Sequence, residues 1–205
     1  NATTITLKVT LYALFFGFVL AVPLAFMKLS RFRLLRWVTS FYTAVFRGVP
    51  LLVQLMIVYF GVPQITGSNL TPLQASTIAL SLNSAAYLSE TLRGGIMAVD
   101  IGQREAAMAL GVHYPSMMKD IILPQAIKSV LPSLVNEFIS LLKNTTLIAS
   151  IGLVDILCVG QQIQSRTYRA FEPFFAISVF YYVLVLGLSI LGKALEKKVN
   201  ASDRG

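Results

Sequence analysis

The sequence predicts an all-α, polytopic membrane protein of about five transmembrane helices, with its N-terminus outside and its C-terminus in the cytoplasm. Three observations carry that expectation. Apolar residues make up 56% of the 205 and charged residues only 13%, roughly half the charged share of a soluble domain, and the mean hydropathy is +0.72. The apolar residues arrive in blocks of roughly 15 to 22, near the ~20 needed to cross hydrocarbon as a helix. The basic residues gather between those blocks in a pattern that assigns a side to each end.

The first apolar run is Leu11–Met27, closed by Lys28, Arg31, Arg33 and Arg36. An amphipathic stretch, Trp37–Phe46, and Arg47 lead into a second run at about Val49–Phe60. Gly61-Val62-Pro63 and Thr66-Gly67-Ser68-Asn69 are expected to form a turn-rich external loop. A third run covers about Thr71–Leu92, a fourth about Ala126–Leu142 and a fifth about Pro173–Leu191. Two longer segments lie between spans: 93–125 on the cytoplasmic side, and about 148–172 outside, where the spaced apolar residues of Leu153–Tyr168 predict a short helix at the outer face. The whole chain, 1–205, reads as one transmembrane domain.

Orientation follows from charge. Of the 17 Lys and Arg, thirteen fall on the cytoplasmic side in the N-out arrangement: Lys28 to Arg47, then Arg93, Arg104, Lys119 and Lys128, then Lys193, Lys197, Lys198 and Arg204. The second external loop holds only Arg166 and Arg169, so the reverse arrangement breaks the positive-inside rule. The same rule accounts for the net charge of +8 without nucleic acid as a partner. The lone Cys158 has no internal disulfide partner and no metal-binding neighbours. Because the chain opens on Asn1 rather than Met, its natural start is expected to lie upstream.

The segment 93–125 is a polar island. Asp100 is a candidate cap for a helix over Ile101–Leu110, Gly111 a stop, and Val112–Leu123 a second short helix that Pro124 is expected to end. Two short helices meeting at a glycine, with small alanines on their surface and Glu105 for a directional contact, would make a handle for a soluble partner. An ordinary helical loop between spans would show the same local pattern.

Polar groups inside spans are costly and tend to face a bundle interior or a cavity. Asn83, Tyr87 and Glu90 share one helical face at i, i+4 and i+7, and Ser84 borders it. Gln54, Glu137, Lys143, Asn144 and Thr145 are the other conspicuous polar residues. These groups either line a pathway or bind helices to one another, and Glu90, three residues before Arg93, suits an ion pair at the inner rim. No Gly-x-x-x-x-Gly-Lys-Ser/Thr phosphate loop occurs, and His113 has no catalytic company, so ATP hydrolysis or other catalysis is not expected of this chain.

Glu105-Ala106-Ala107, three residues, Gly111, nine residues, Ile121, one residue and Leu123-Pro124 resembles the EAA signature of ABC importer permeases at every specified position. Phe46-Arg47-Gly48-Val49-Pro50, Asn83-Ser84-Ala85-Ala86-Tyr87, Glu90-Thr91-Leu92-Arg93 and Asn136-Glu137-Phe138 are similar to the polar amino-acid uptake branch, with Val49 where that branch usually has Thr. The resemblance implies a type I importer permease with a five-helix core. It further implies a second permease subunit, identical or similar, and a pair of ATP-binding subunits gripping Glu105, Ala106, Ala107 and Gly111. An external solute-binding protein would deliver an amino acid, and ATP and magnesium would sit on the partner, with no cofactor in this chain. The competing expectation is a stand-alone secondary transporter or channel with an ion relay through Glu90, Glu137 and Lys143.

Overall fold

The computed structural model describes residues 1–201; Arg204, counted above among the basic residues, lies outside them. Eight helices follow one another: α1 (Ala2–Leu29), α2 (Arg33–Gly48), α3 (Leu51–Thr66), α4 (Pro72–Met97), α5 (Ile101–Ala109), α6 (Tyr114–Ile151), α7 (Ile156–Thr167) and α8 (Phe171–Ala201). Among the described residues there is no strand.

Helices α1 and α8 are each long and apolar enough to cross a membrane. The pairs α2 with α3 and α6 with α7 meet that standard only jointly, bent by 103° and 49°. At 26 residues α4 is long enough to span, about 39 Å at 1.5 Å per residue. Its hydropathy is lowered by Ser76, Ser81, Asn83, Ser84 and Ser89, all buried inside the bundle. Thr71 and Gln74 cap its start reciprocally, hydroxyl to backbone and amide to backbone.

The centre of the bundle is α4 against α1. Helix α1 turns Ala13, Gly17, Ala21 and Ala25 inward, one small residue per turn, which lets the two backbones approach as membrane helices do. A Cβ on Gly17 would stand 3.0 Å from Ser84 Cβ. Phe15, Phe16, Val19 and Leu20 point out. The most apolar stretch of α8 has none of its residues buried in the chain, as suits a lipid-facing helix.

The break between α2 and α3 falls at Val49-Pro50, both in extended backbone conformations, the geometry that proline imposes on its predecessor. Three side chains brace it. Gln54 Nε2 donates to Phe46 O (2.9 Å) and Val49 O (2.8 Å), Asn83 Nδ2 donates to Phe46 O (2.9 Å), and Tyr42 Oη donates to Leu82 O (2.6 Å).

Two sequence-based boundaries move. Gly61-Val62-Pro63 is helical, not loop: a wide π-turn over Ile57–Gly61 precedes Pro63, and the chain leaves the helix only at Gly67, with φ +68°. Likewise Pro124 does not end a helix before the fourth span, because a second π-turn, Met117–Ile122, runs straight into it. In both places the loosened turn accommodates a proline that lacks an amide donor. The short helix expected within Leu153–Tyr168 is present as α7, with Asp155 Oδ1 accepting from Cys158 N at 2.8 Å.

A polar cavity and a projecting handle

The handle keeps the expected cap at Asp100 and stop at Gly111. Asp100 Oδ1 accepts from Gly102 N (2.7 Å) at the start of α5. At its end Gly111 takes φ +71°, Val112 N donates to Ala107 O and Gly111 N to Met108 O, both at 3.0 Å. This is a Schellman closure, and the left-handed residue it needs is the reason for glycine. Ala107 corrects the expectation that the alanines lie on the surface. It is buried with Ile96, Met117, Ile122 and Ala126 in a small core that fastens α5 to α4 and α6. Arg104 Nη2 adds a bond to Ile96 O at 2.8 Å. Glu105 and Ala106 are exposed, and Leu110 (82% exposed), Ile101, Met108 and Tyr114 leave the tip apolar.

Beside the α2–α3 break lies an open cavity of about 480 Å³, inside the range of small-molecule sites, about 300–1,000 Å³. Its floor is the Gly48–Leu51 backbone at the α2–α3 break, and its polar walls are Arg47, Asn83, Tyr87, Glu137, Ser140 and Asn144. The Arg47 guanidinium sits over the Tyr87 ring, 5.1 Å from its centroid, a cation–π placement that holds the charge at the rim.

Of the residues singled out from sequence, Asn83, Tyr87 and Asn144 meet in this cavity. Gln54 lies behind it as the brace of the break, and receives Asn83 Nδ2 on its Oε1 at 3.3 Å. Ser84 is fully buried and makes no well-formed hydrogen bond, but its hydroxyl faces the Glu137 carboxyl. Thr145 is turned away and donates to Leu142 O at 2.6 Å. Glu90 is held elsewhere: Lys28 Nζ stands 2.9 Å from Oε1, Arg93 Nη2 2.9 Å from Oε2, and Lys28 also donates to Ser89 Oγ at 2.7 Å. That is the rim ion pair expected with Arg93, joined by an unforeseen lysine 62 positions away.

Arg47 and Ser140 are cavity residues that the sequence reading does not name as such. Arg47 is absorbed into the charge count, whereas Glu137, named among the polar groups that line a pathway or bind helices, does reach the cavity. A signal existed, since Glu137, Ser140 and Asn144 recur at i, i+3 and i+7 on one face of α6.

A helical membrane bundle with a polar pocket between its helices and a motif-bearing handle outside the bundle is the build of a transport permease. A profile of the inner membrane component of binding-protein-dependent transport systems matches residues 13–201, and the chain belongs to that family. It is 49% identical over 199 residues, 97% of this chain and 91% of the relative, to the arginine transport system permease protein ArtQ of Bacillus subtilis (strain 168). It is 46% identical, over the same shares, to the putative glutamine transport system permease protein GlnP of Rickettsia felis. Among solved structures, an amino acid ABC transporter crystallised with histidines matches at TM-score 0.91 and 42% identity, covering 96% of this chain and 92% of that one. The MetNI methionine ABC transporter in an inward-facing conformation shares the fold at TM-score 0.82 and 21% identity, over 95% and 93% of the two chains.

Proposed function

We infer that this chain is the membrane-spanning permease subunit of an ATP-driven, binding-protein-dependent importer for polar amino acids. The observation that carries this reading is the pairing of an EAA handle, packed onto the bundle through Ala107, with a polar cavity sized for one small molecule. Relatives named for arginine and glutamine transport support the substrate class.

An amino acid is a zwitterion, so its passage needs donors for a carboxylate and acceptors for an ammonium. Arg47 and Asn144 supply donors, and Glu137, Ser140 and the amide oxygens of Asn83 and Asn144 supply acceptors, the Asn83 amide hydrogens being taken by Phe46 O and Gln54 Oε1. Glu137 adds an acidic group that a cationic side chain would use. Gln54, Ser84 and Thr145 support the walls, and Glu90 closes the rim beneath Tyr87 through Lys28 and Arg93.

The partners follow from the same reading: a second permease subunit, an external solute-binding protein, and an ATPase pair that binds ATP and magnesium and receives Glu105, Ala106 and the apolar tip around Leu110. Gly111 and Ala107 shape the handle for that contact. The whole chain acts as one transmembrane domain with the N-terminus out, so closure of the ATPase pair pushes α5 and reorients the cavity. The stand-alone relay is disfavoured because Glu90 is held between two cations and Lys143 is exposed rather than in the cavity. The test is reconstitution with and without an ATP-binding subunit: uptake and binding-protein-stimulated ATP hydrolysis should both require it, and uptake driven without it would overturn the reading.

A further inference from the structure

Helix α2 presents three different faces. Thr39 and Thr43 turn into the bundle and satisfy their hydroxyls on their own backbone. Leu34, Trp37, Val38, Phe41 and Val45 form an exposed apolar stripe, with Leu34 at 70%, Trp37 at 65% and Phe41 at 61%, and the Trp37 and Phe41 rings stacked 5.9 Å apart. Arg33 and Arg36 lie on a third face, beside Arg31 in the turn from α1. Among the described residues, Arg31, Arg33 and Arg36 form no ion pair; the one recorded contact of their charged groups is Arg31 over the Phe32 ring, 5.3 Å to the centroid. Helix α2 begins just after a spanning helix, α1, ends, and meets α3 at 103°.

We propose that the α1–α2 turn and the start of α2 form a binding site for an anionic phospholipid, with the headgroup phosphate on Arg31, Arg33 and Arg36 and the acyl chains along Leu34, Trp37 and Phe41. The occupant is argued from charge and placement. Three uncompensated guanidiniums, suited to bidentate phosphate contacts, adjoin an apolar stripe at the end of a spanning helix. A tryptophan at that boundary is the usual interfacial anchor. Orientation of the chain requires only that basic residues lie on one side. A lipid site requires in addition that they lie next to an unpartnered apolar face, and Arg31, Arg33 and Arg36, all exposed within six residues, adjoin the Leu34–Trp37–Phe41 stripe. The proposal is independent of which solute the cavity carries.

The chain contains a single tryptophan, Trp37, which makes the site directly readable. The full-length chain is reconstituted in phosphatidylcholine vesicles in which 20 mol% of the lipid is either brominated phosphatidylglycerol or brominated phosphatidylcholine, and Trp37 fluorescence quenching is compared at low and high salt. Brominated phosphatidylglycerol is expected to quench with a clearly higher apparent affinity at low salt. That preference should fall roughly five-fold for each arginine changed to glutamine, the scale of one basic group near an anionic surface. R31Q/R33Q/R36Q should abolish it, while R31K/R33K/R36K should keep most of it and report on folding. Equal quenching by the two brominated lipids would overturn the site, as would equal loss from K193Q/K197Q/K198Q. Weak quenching by both lipids would mean that a second copy of the chain covers this face, and would equally overturn it.

Discussion

The handle and the cavity are made in opposite ways. The handle is contiguous: twenty residues from Glu105 to Pro124 carry the whole motif, and its shape comes from local devices, a cap at Asp100, a Schellman closure at Gly111 and one buried alanine. The cavity has no local signature, because its walls come from three separate stretches: 47–51, 83–87 and 137–144. A surface that must fit a separate protein can be written in one stretch of chain. A pocket in a helical bundle is assembled by packing, so mutations in the two regions should separate coupling from recognition.

The largest effect is expected from Glu105→Lys. Glu105 is exposed and its side chain forms no hydrogen bond or ion pair among the described residues, so the fold should persist. Reversing the charge of an interfacial contact costs about 2 kcal/mol or more, roughly 30-fold or greater in affinity. Binding-protein-stimulated ATP hydrolysis should fall by that factor, while solute binding to the cavity, measured calorimetrically in detergent, stays within about two-fold. If hydrolysis were unaffected, the handle would have lost its assigned role.

Ala107→Leu attacks the same element from inside. The added side chain has to enter the core with Met117 and Ile122, where overpacking costs about 1–3 kcal/mol. The melting temperature should drop by several degrees and coupling should weaken with it. Ala106→Leu, one position away but exposed, should leave the melting temperature unchanged; equal effects at both positions would contradict the inward placement of Ala107.

In the cavity, Glu137→Gln removes the acidic group while preserving shape. Charge-assisted hydrogen bonds contribute about 1.5–3 kcal/mol, so uptake of a cationic amino acid should fall roughly ten-fold or more. Uptake of a neutral one should change much less, and maximal ATP hydrolysis should be retained. A uniform loss for both solutes would assign Glu137 to structure, paired with Ser84, rather than to recognition.

The same contrast governs how much could be read from the chain. Helix existence, the cap at Asp100, the stop at Gly111 and the α7 helix were legible because each depends on neighbours within a few positions. Asn83 and Tyr87 were legible because they recur at helical spacing. The partnership of Lys28 with Glu90 was not, since nothing local links residues 62 apart. Arg47 was hidden for a different reason: a basic residue at a span end already has an explanation in topology. Pro63 and Pro124 misled because a proline signals a helix end unless a wide turn precedes it, and π-turns have no sequence signature of comparable strength.

The smallest expected effect, Gly17→Ala, tests whether the cavity's back wall is as tight as its contacts indicate. Two terms oppose each other. Alanine is the better helix former by about 0.8–1.0 kcal/mol, which favours the variant. Against it, the new methyl would meet Ser84 Cβ at 3.0 Å and Ser81 O at 3.2 Å. Neither is the free end of a flexible side chain, so α1 and α4 must separate by a few tenths of an ångström, and overpacking of this kind costs about 1–3 kcal/mol. The steric term should narrowly win, giving a net loss of about 1 kcal/mol and a melting temperature lower by roughly 2–4 °C. Because Ser84 faces Glu137 behind the cavity, the displacement should also weaken cationic-solute uptake slightly while leaving stimulated ATP hydrolysis unchanged per folded molecule. A stabilised Gly17→Ala variant would mean that α1 and α4 are packed more loosely than one small residue per turn implies, and the cavity would then lack the rigid wall that the handle, with its own core, does not need.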